Sequence, residues 1–236
     1  MLTNPKNLLL NAAILSMSSL VVAQTALTKS GNINYVSDYA WRGISQTAGG
    51  MAVQGGFDLG YGGFYLGTWS SNVDIFPTTA PATIEAKVYA GYAGSFTSFA
   101  KKLSYDVGLI TYQYPGNNSG YDFNEIYGSL SMPVYGVTST LGVNYSDDFF
   151  DGSGNATYYS LNFVSPTSMK NLSANATVGR QEVDNSTVYG TNDYTVYKLG
   201  VDYTMKKMTA GLQFSDTNSS ADFSGPRTIV SLSSSF

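Results

Sequence analysis

From residue 31 to the last residue, the chain alternates apolar and polar side chains with a period of two, segment after segment. That is the spacing of a β-strand, whose successive side chains point to opposite faces. The first segment sets Ile33, Tyr35, Tyr39 and Trp41 against Asn32, Asn34, Asp38 and Arg42. Met51, Val53, Phe57 and Leu59 then oppose Gln54, Gly56 and Asp58, and residues 63–72 form a segment with two fairly apolar faces. Further segments place Ile84, Ala86 and Val88 against Glu85 and Lys87, Val107 and Leu109 against Asp106, and Ile126 against Glu125. The second half repeats the scheme around Leu141, Leu161, Val178, Leu199, Leu212 and Val230. Twelve segments result, with no helix-period stretch between them. Each is close to the ~9–11 residues that carry a tilted strand across a bilayer. An even number of such strands predicts an all-β fold, an up-and-down antiparallel transmembrane β-barrel of about 12 strands.

The connections sort by length. "GYGG", "MPVYG", "SPTSMKN" and "TMKK" are short, and "GSFTSFAKK" joins them at every second position. "GISQTAGG", "VDIFPTTAPAT", "PGNNSGYD", "DDFFDGSGN", "EVDNSTVYGTND" and "SDTNSSADFSGP" are long. Short turns on one rim and long loops on the other are the asymmetry of outer-membrane barrels. Charge follows length: Lys170, Lys206 and Lys207 lie in short turns, and Asp147, Asp148, Asp151, Asp184 and Asp222 in long loops. A soluble β-sandwich or lipocalin-like barrel shares the period, but the strand number and regular loop asymmetry tell against it.

Residues 1–23 carry Lys6, a short apolar core and Val21-Val22-Ala23 before Gln24, the marks of a secretory signal peptide. The barrel is then expected over 24–236. Without Lys6, eleven basic and sixteen acidic residues leave a net charge of −5. That balance argues against a nucleic-acid partner. Charged residues make up 12% of the chain, against about 25% in soluble domains. Tyr, Phe and Gly are abundant, which suits strands with one face in an apolar solvent. Cys and His are absent. Disulfides and thiolate metal sites are excluded, and an enzyme would lack the commonest general base and metal ligand. No cofactor, metal or catalytic residue is called for. Asp147, Asp148 and Asp151 offer oxygen ligands for Ca²⁺, but the EF-hand spacing is missing and a solvated acidic loop is the plainer reading.

The segments "SDYAWRGISQT", "AVQGGFDLGYGGFYLGTWSSNVD", "YAGYAG", "YDVGLITYQYPG" and "EIYGSL" resemble the TorF-like porin family, bacterial conserved outer-membrane proteins of unknown substrate. The resemblance spans residues 31–131 strongly, with Ser37 to Asp74 the most specific run, and continues beyond only in pattern. It implies an outer-membrane barrel with a pore role. An acidic residue often stands in that family where this chain has Lys87, so no charge preference is carried over.

The phase of the alternation directs Asp38, Arg42, Asp58, Glu85, Lys87, Asp106, Glu125 and Lys198 toward the lumen, joined near the ends by Asp202 and Arg227. An Arg or Lys facing mid-depth lipid costs ~2–4 kcal/mol, so inward placement is favoured. Tyr39 and Trp41 are expected to face lipid in an aromatic girdle, with the Gly-rich segment after them as the first external loop. Tyr112, Tyr114, Tyr127 and Tyr158 are expected inside. Five acids against three bases predict a passive channel for small hydrophilic solutes or ions with a weak cation preference. The competing expectation is a structural or surface-interaction barrel, its lumen closed by interior salt bridges. Both share a bacterial outer-membrane location, the lipid bilayer as partner, and Phe236 as the signal for the barrel assembly machinery.

Overall fold

The computed structural model describes residues 26–75, 81–98, 101–116 and 120–236; the expected signal peptide lies outside them. The strands are β1 (Thr28–Val36), β2 (Ala40–Trp41), β3 (Ile44–Ser45), β4 (Ala52–Tyr61), β5 (Phe64–Ile75), β6 (Ala82–Ser98) and β7 (Lys101–Gln113). They continue as β8 (Phe123–Val134), β9 (Val137–Ser146), β10 (Ala156–Pro166), β11 (Leu172–Val183), β12 (Tyr194–Met205), β13 (Met208–Thr217) and β14 (Arg227–Ser235). Among the described residues, β1 and β4–β14 close an antiparallel barrel of twelve strands, each beside its sequence neighbour, and β14 returns to β1. Strands β2 and β3 form a separate hairpin inside the first long connection.

The register carries the period-two pattern around the wall. Leu130 pairs with Leu141, Leu141 with Leu161, Leu161 with Val178 and Val178 with Tyr197. These side chains are all exposed on the outer face. On the opposite pleat Tyr127 pairs with Asn144, Asn144 with Tyr158 and Tyr158 with Gln181, all directed inward. An outer surface of exposed Leu, Val, Ile and Phe calls for hydrocarbon rather than water as its solvent. Near the short-turn rim Phe64, Tyr92, Tyr105 and Phe96 stack along the outside with ring centroids 4.8–6.2 Å apart. Amphipathic rings concentrate at the edge of a bilayer's apolar slab.

The rims differ in their chemistry. Strands β8 and β9 turn through Tyr135-Gly136, both at positive φ, and β4 and β5 through Gly62-Gly63, also both positive. That sign pattern matches tight hairpin turns to the right-handed twist of the strands. The segment "GSFTSFAKK" is mostly strand: β6 runs to Ser98 and β7 begins at Lys101. Its Ser-Phe-Thr alternation continues the ladder past the expected turn. Residues 63–72, ambiguous by pattern, turn Tyr65 and Trp69 inward and Phe64, Leu66, Thr68 and Ser70 outward.

The seam is completed by the last residue. Gly31 N–H donates to Phe236 O at 2.9 Å, and Phe236 N–H donates to Gly31 O at 3.0 Å. The Phe236 ring lies over Gly31, where any Cβ would strike it. Gly31→Val is therefore expected to destabilise the barrel by about 1–3 kcal/mol, the range for overpacking. A lowered urea midpoint of the heat-modifiable band on cold gels would show it; an unchanged midpoint would mean the ring can swing aside.

Candidate functional site: a hairpin plug in the lumen

The first long connection, residues 37–51, does not stay outside. The stretch from Ser37 to Thr47 leaves the wall after Val36 and folds back into the barrel. Asp38 sets the bend. Its carboxylate accepts from Ser45 Oγ at 2.5 Å, Thr47 Oγ1 at 3.2 Å and the Arg227 guanidinium of β14 at 2.6 Å. A short acceptor side chain that gathers nearby hydroxyls competes with strand pairing and favours a turn. Ala40 pairs with Ser45 and Trp41 with Ile44, so Arg42-Gly43 is the tip of a two-residue hairpin. Both tip residues have positive φ, +45° and +84°. Gly43 also lies so close to Thr217 and Val196 of the far wall that a Cβ would come within 3.2 Å of them. The torsion therefore favours glycine there, and any larger residue would also have to push the Thr217 and Val196 side chains back.

Arg42 holds the tip in place. Its guanidinium donates to both oxygens of Glu125 on β8, at 2.8 and 2.9 Å, and to Gln181 on β11 at 2.9 Å. It also stacks against Trp41 and Tyr158, 4.3 and 4.4 Å from their ring centroids. Glu125 accepts further bonds from Tyr112 at 3.2 Å and Asn144 at 3.1 Å. The carboxylate is 2% exposed. A charge so far from water needs this full set of partners. Trp41 enters an aromatic cluster with Tyr112, Phe123 and Phe149. Tyr39 packs edge-on to Trp69, and its hydroxyl accepts from Lys87 Nζ at 3.0 Å. Lys87 in turn contacts Glu85 at 2.7 Å and lies over the Trp69 ring at 4.2 Å. Above the plug, α1 (Ser186–Tyr189) brings Tyr189 against Phe149. Burial pushes the Tyr189 hydroxyl above the ordinary tyrosine range, so at neutral pH it keeps its proton, 3.4 Å from Tyr194 Oη.

The lumen toward the short-turn rim is more open. Tyr89 donates to Asp58, and Tyr65 donates to Asp106 at 2.5 Å while also meeting Tyr127. These side chains are only partly buried. Asp58 and Asp106 make no ion pair among the described residues. Lys198 on β12 points inward and is partly exposed. Asn175 reaches Asp202 at 2.7 Å. Among the described residues, no cluster of three or more acidic side chains is placed to hold a metal.

The family model described as "Bacterial protein of unknown function (Gcw_chp)" matches residues 21–235. The chain belongs to this family. No curated protein matches it. Among solved structures, this Gcw_chp member is similar to the KdgM porin, with 12% identity, a TM-score of 0.60, and coverage of 88% of this chain and 99% of that one. It is likewise similar to the NanC porin, with 10% identity, a TM-score of 0.56, and coverage of 89% and 99%. At such identities the likeness is one of fold, a porin-type barrel.

The eight charges assigned to the lumen by phase occupy different settings in this Gcw_chp barrel. Glu85, Lys87 and Glu125 are buried wall residues against the plug; Asp58, Asp106 and Lys198 line the more open half. Asp38 and Arg42 are interior but belong to the plug, not to a strand. The expected outward placement of Tyr39 and Trp41 is overturned. Tyr39 is 3% exposed inside, and Trp41 packs on the interior cluster. The alternation continues past Val36, but the strand does not, because Ser37-Asp38 bends the chain. Gln181, which fixes the tip, shows no distinctive signal in the sequence. A Gly after Arg42, preceded by Ser-Asp, was the available sign of a turn. Arg180, which fits no inward phase, faces outward beside Glu182 and Asp193.

Arg42→Ala leaves Glu125 buried without its cation. Breaking one side of a buried pair costs ~3–5 kcal/mol. The variant is expected to lose stability in that range and to expose residues 37–51 to protease in the folded barrel. Protection equal to wild type would show that the aromatic cluster alone retains the hairpin.

Proposed function

We propose that the protein is an outer-membrane channel of Gram-negative bacteria that passes small hydrophilic solutes or ions through a lumen narrowed by the 37–51 hairpin. The observation that carries this reading is the reversal of polarity across one closed wall. Apolar side chains cover the outside, and charged and hydrogen-bonding side chains line the inside. In a bilayer only a closed barrel satisfies every strand backbone, and a polar interior gives water a path. The fold likeness to the KdgM and NanC porins supports it, as does the TorF-like resemblance of Ser37 to Asp74. On this reading residues 1–23 direct export, the short turns face the periplasm, the acidic long loops face outward, and Phe236 presents the assembly signal. The protein acts by passage, not by catalysis.

A weak cation preference belongs to the same proposal. Arg42–Glu125, Lys87–Glu85 and Arg227–Asp38 cancel in pairs. Apart from Asp202 near the short-turn rim, which accepts from Asn175, Asp58, Asp106 and Lys198 remain, two acids and one base. Fixed charge lining a pore selects ions of the opposite sign. The second reading, a structural or surface-interaction barrel with a closed lumen, is favoured by the plug itself. Arg42 bridges from the first loop to β8 and β11, so the obstruction is bonded across the barrel.

Planar-bilayer recording on the refolded mature chain separates the two. The channel reading expects small conductance steps, cation-selective under a salt gradient, with selectivity lowered in Asp58→Asn/Asp106→Asn and conductance raised in Arg42→Ala. A heat-modifiable barrel silent in both wild type and Arg42→Ala would establish the closed barrel instead.

A further inference from the structure

Lys198 is the inward cation that the plug leaves out. Arg42, Lys87 and Arg227 each sit within 2.6–2.8 Å of a carboxylate. Among the described residues Lys198 makes no ion pair or hydrogen bond, and it is neither fully buried nor fully exposed. Its direct neighbour across the ladder is Ser215 of β13. Ser215 is fully buried, and its hydroxyl has no hydrogen-bond partner. One step toward the short-turn rim, Gly200 pairs with Gln213, whose inward side-chain amide is also unbonded among the described residues. The neighbours on the other side are engaged elsewhere. Thr177, opposite Lys198 on β11, donates to Asn162 at 2.8 Å, and Asn175 donates to Asp202.

Three donor groups thus neighbour one another on the inner face of β12 and β13: an ammonium, a hydroxyl and a primary amide. Buried polar groups carry a desolvation cost that only a partner removes. An anion with two or more oxygens suits such a set, because it accepts from a cation and a hydroxyl at once with charge-assisted bonds. We propose that Lys198, Ser215 and Gln213 form an oxyanion subsite that takes the carboxylate of a small solute inside the barrel. It is reached from the short-turn rim, because the hairpin fills the other end. The site needs access from one rim only, so it stands apart from whether the barrel conducts.

The test is an NMR titration of the ¹⁵N-labelled mature chain, refolded in detergent micelles, with sodium acetate replacing sodium chloride at constant ionic strength. The Gln213 side-chain amide is expected to shift and saturate in wild type and in Lys198→Arg. In Lys198→Met the half-saturating concentration is expected to rise roughly tenfold or more, the effect of losing a charged hydrogen bond. If Lys198→Met does not fold, Ser215→Ala serves instead and is expected to weaken acetate in the same direction. A Gln213 signal that does not saturate, or that responds equally in wild type and a folded variant, would make Lys198 a solvated lysine and overturn the proposal.

Discussion

A β-strand in hydrocarbon cannot leave an edge open, because no water is present to meet its N–H and C=O groups. The closing pair of β1 with β14 is thus the contact on which everything else depends. It is extended by the mutual bonds of Gly31 and Phe236 at one end and by Ser37 N–H to Val230 O at the other. Val230 N–H in turn donates to the Ser37 hydroxyl at 2.9 Å. The residue that completes the seam at the long-loop rim is therefore the one at which the chain turns into the lumen. Closure and plugging meet at Ser37-Asp38.

Inside, the energetics are those of polar groups away from water. The Arg42–Glu125 pair contributes little relative to an apolar filling of the same volume, but it fixes one arrangement of the hairpin among many. The strain at Arg42, a non-glycine residue at φ +45°, costs about 1–3 kcal/mol in typical cases. Its bonds to Glu125 and Gln181 and its stacking on Trp41 and Tyr158 offset it. Tyr–carboxylate pairs take over the more open half, where partial solvation lets Asp58 and Asp106 remain without a cation. One lumen thus holds two regimes, a dry and fully bonded plug and a wetter vestibule.

The barrel was legible because its cause is local. Each strand repeats every second residue, and the outward pleat at Leu130, Leu141, Leu161 and Val178 is continuous in the sequence pattern. The inward direction of Glu85, Lys87, Asp106, Glu125 and Lys198 followed from the same pleat. The plug was not legible because alternation is also what a two-stranded hairpin displays. Tyr39 and Trp41 alternate with Asp38 and Arg42 equally well in a lipid-facing strand and in a hairpin turned inward. Large rings are apolar enough for either solvent, so their chemistry does not choose.

The sequence by itself determined that this chain forms strands, their approximate number, their apolar face and the separation of long from short connections. Those properties rest on period and turn chemistry, which act over a few residues. Only the tertiary structure decided that the first loop enters the lumen, that Arg42 reaches Glu125 83 residues away and Gln181 139 residues away, and that Lys198 and Ser215 stand side by side without partners. Those properties depend on which far wall the chain meets once the barrel has closed, and neither the strand period nor local turn chemistry carries that information.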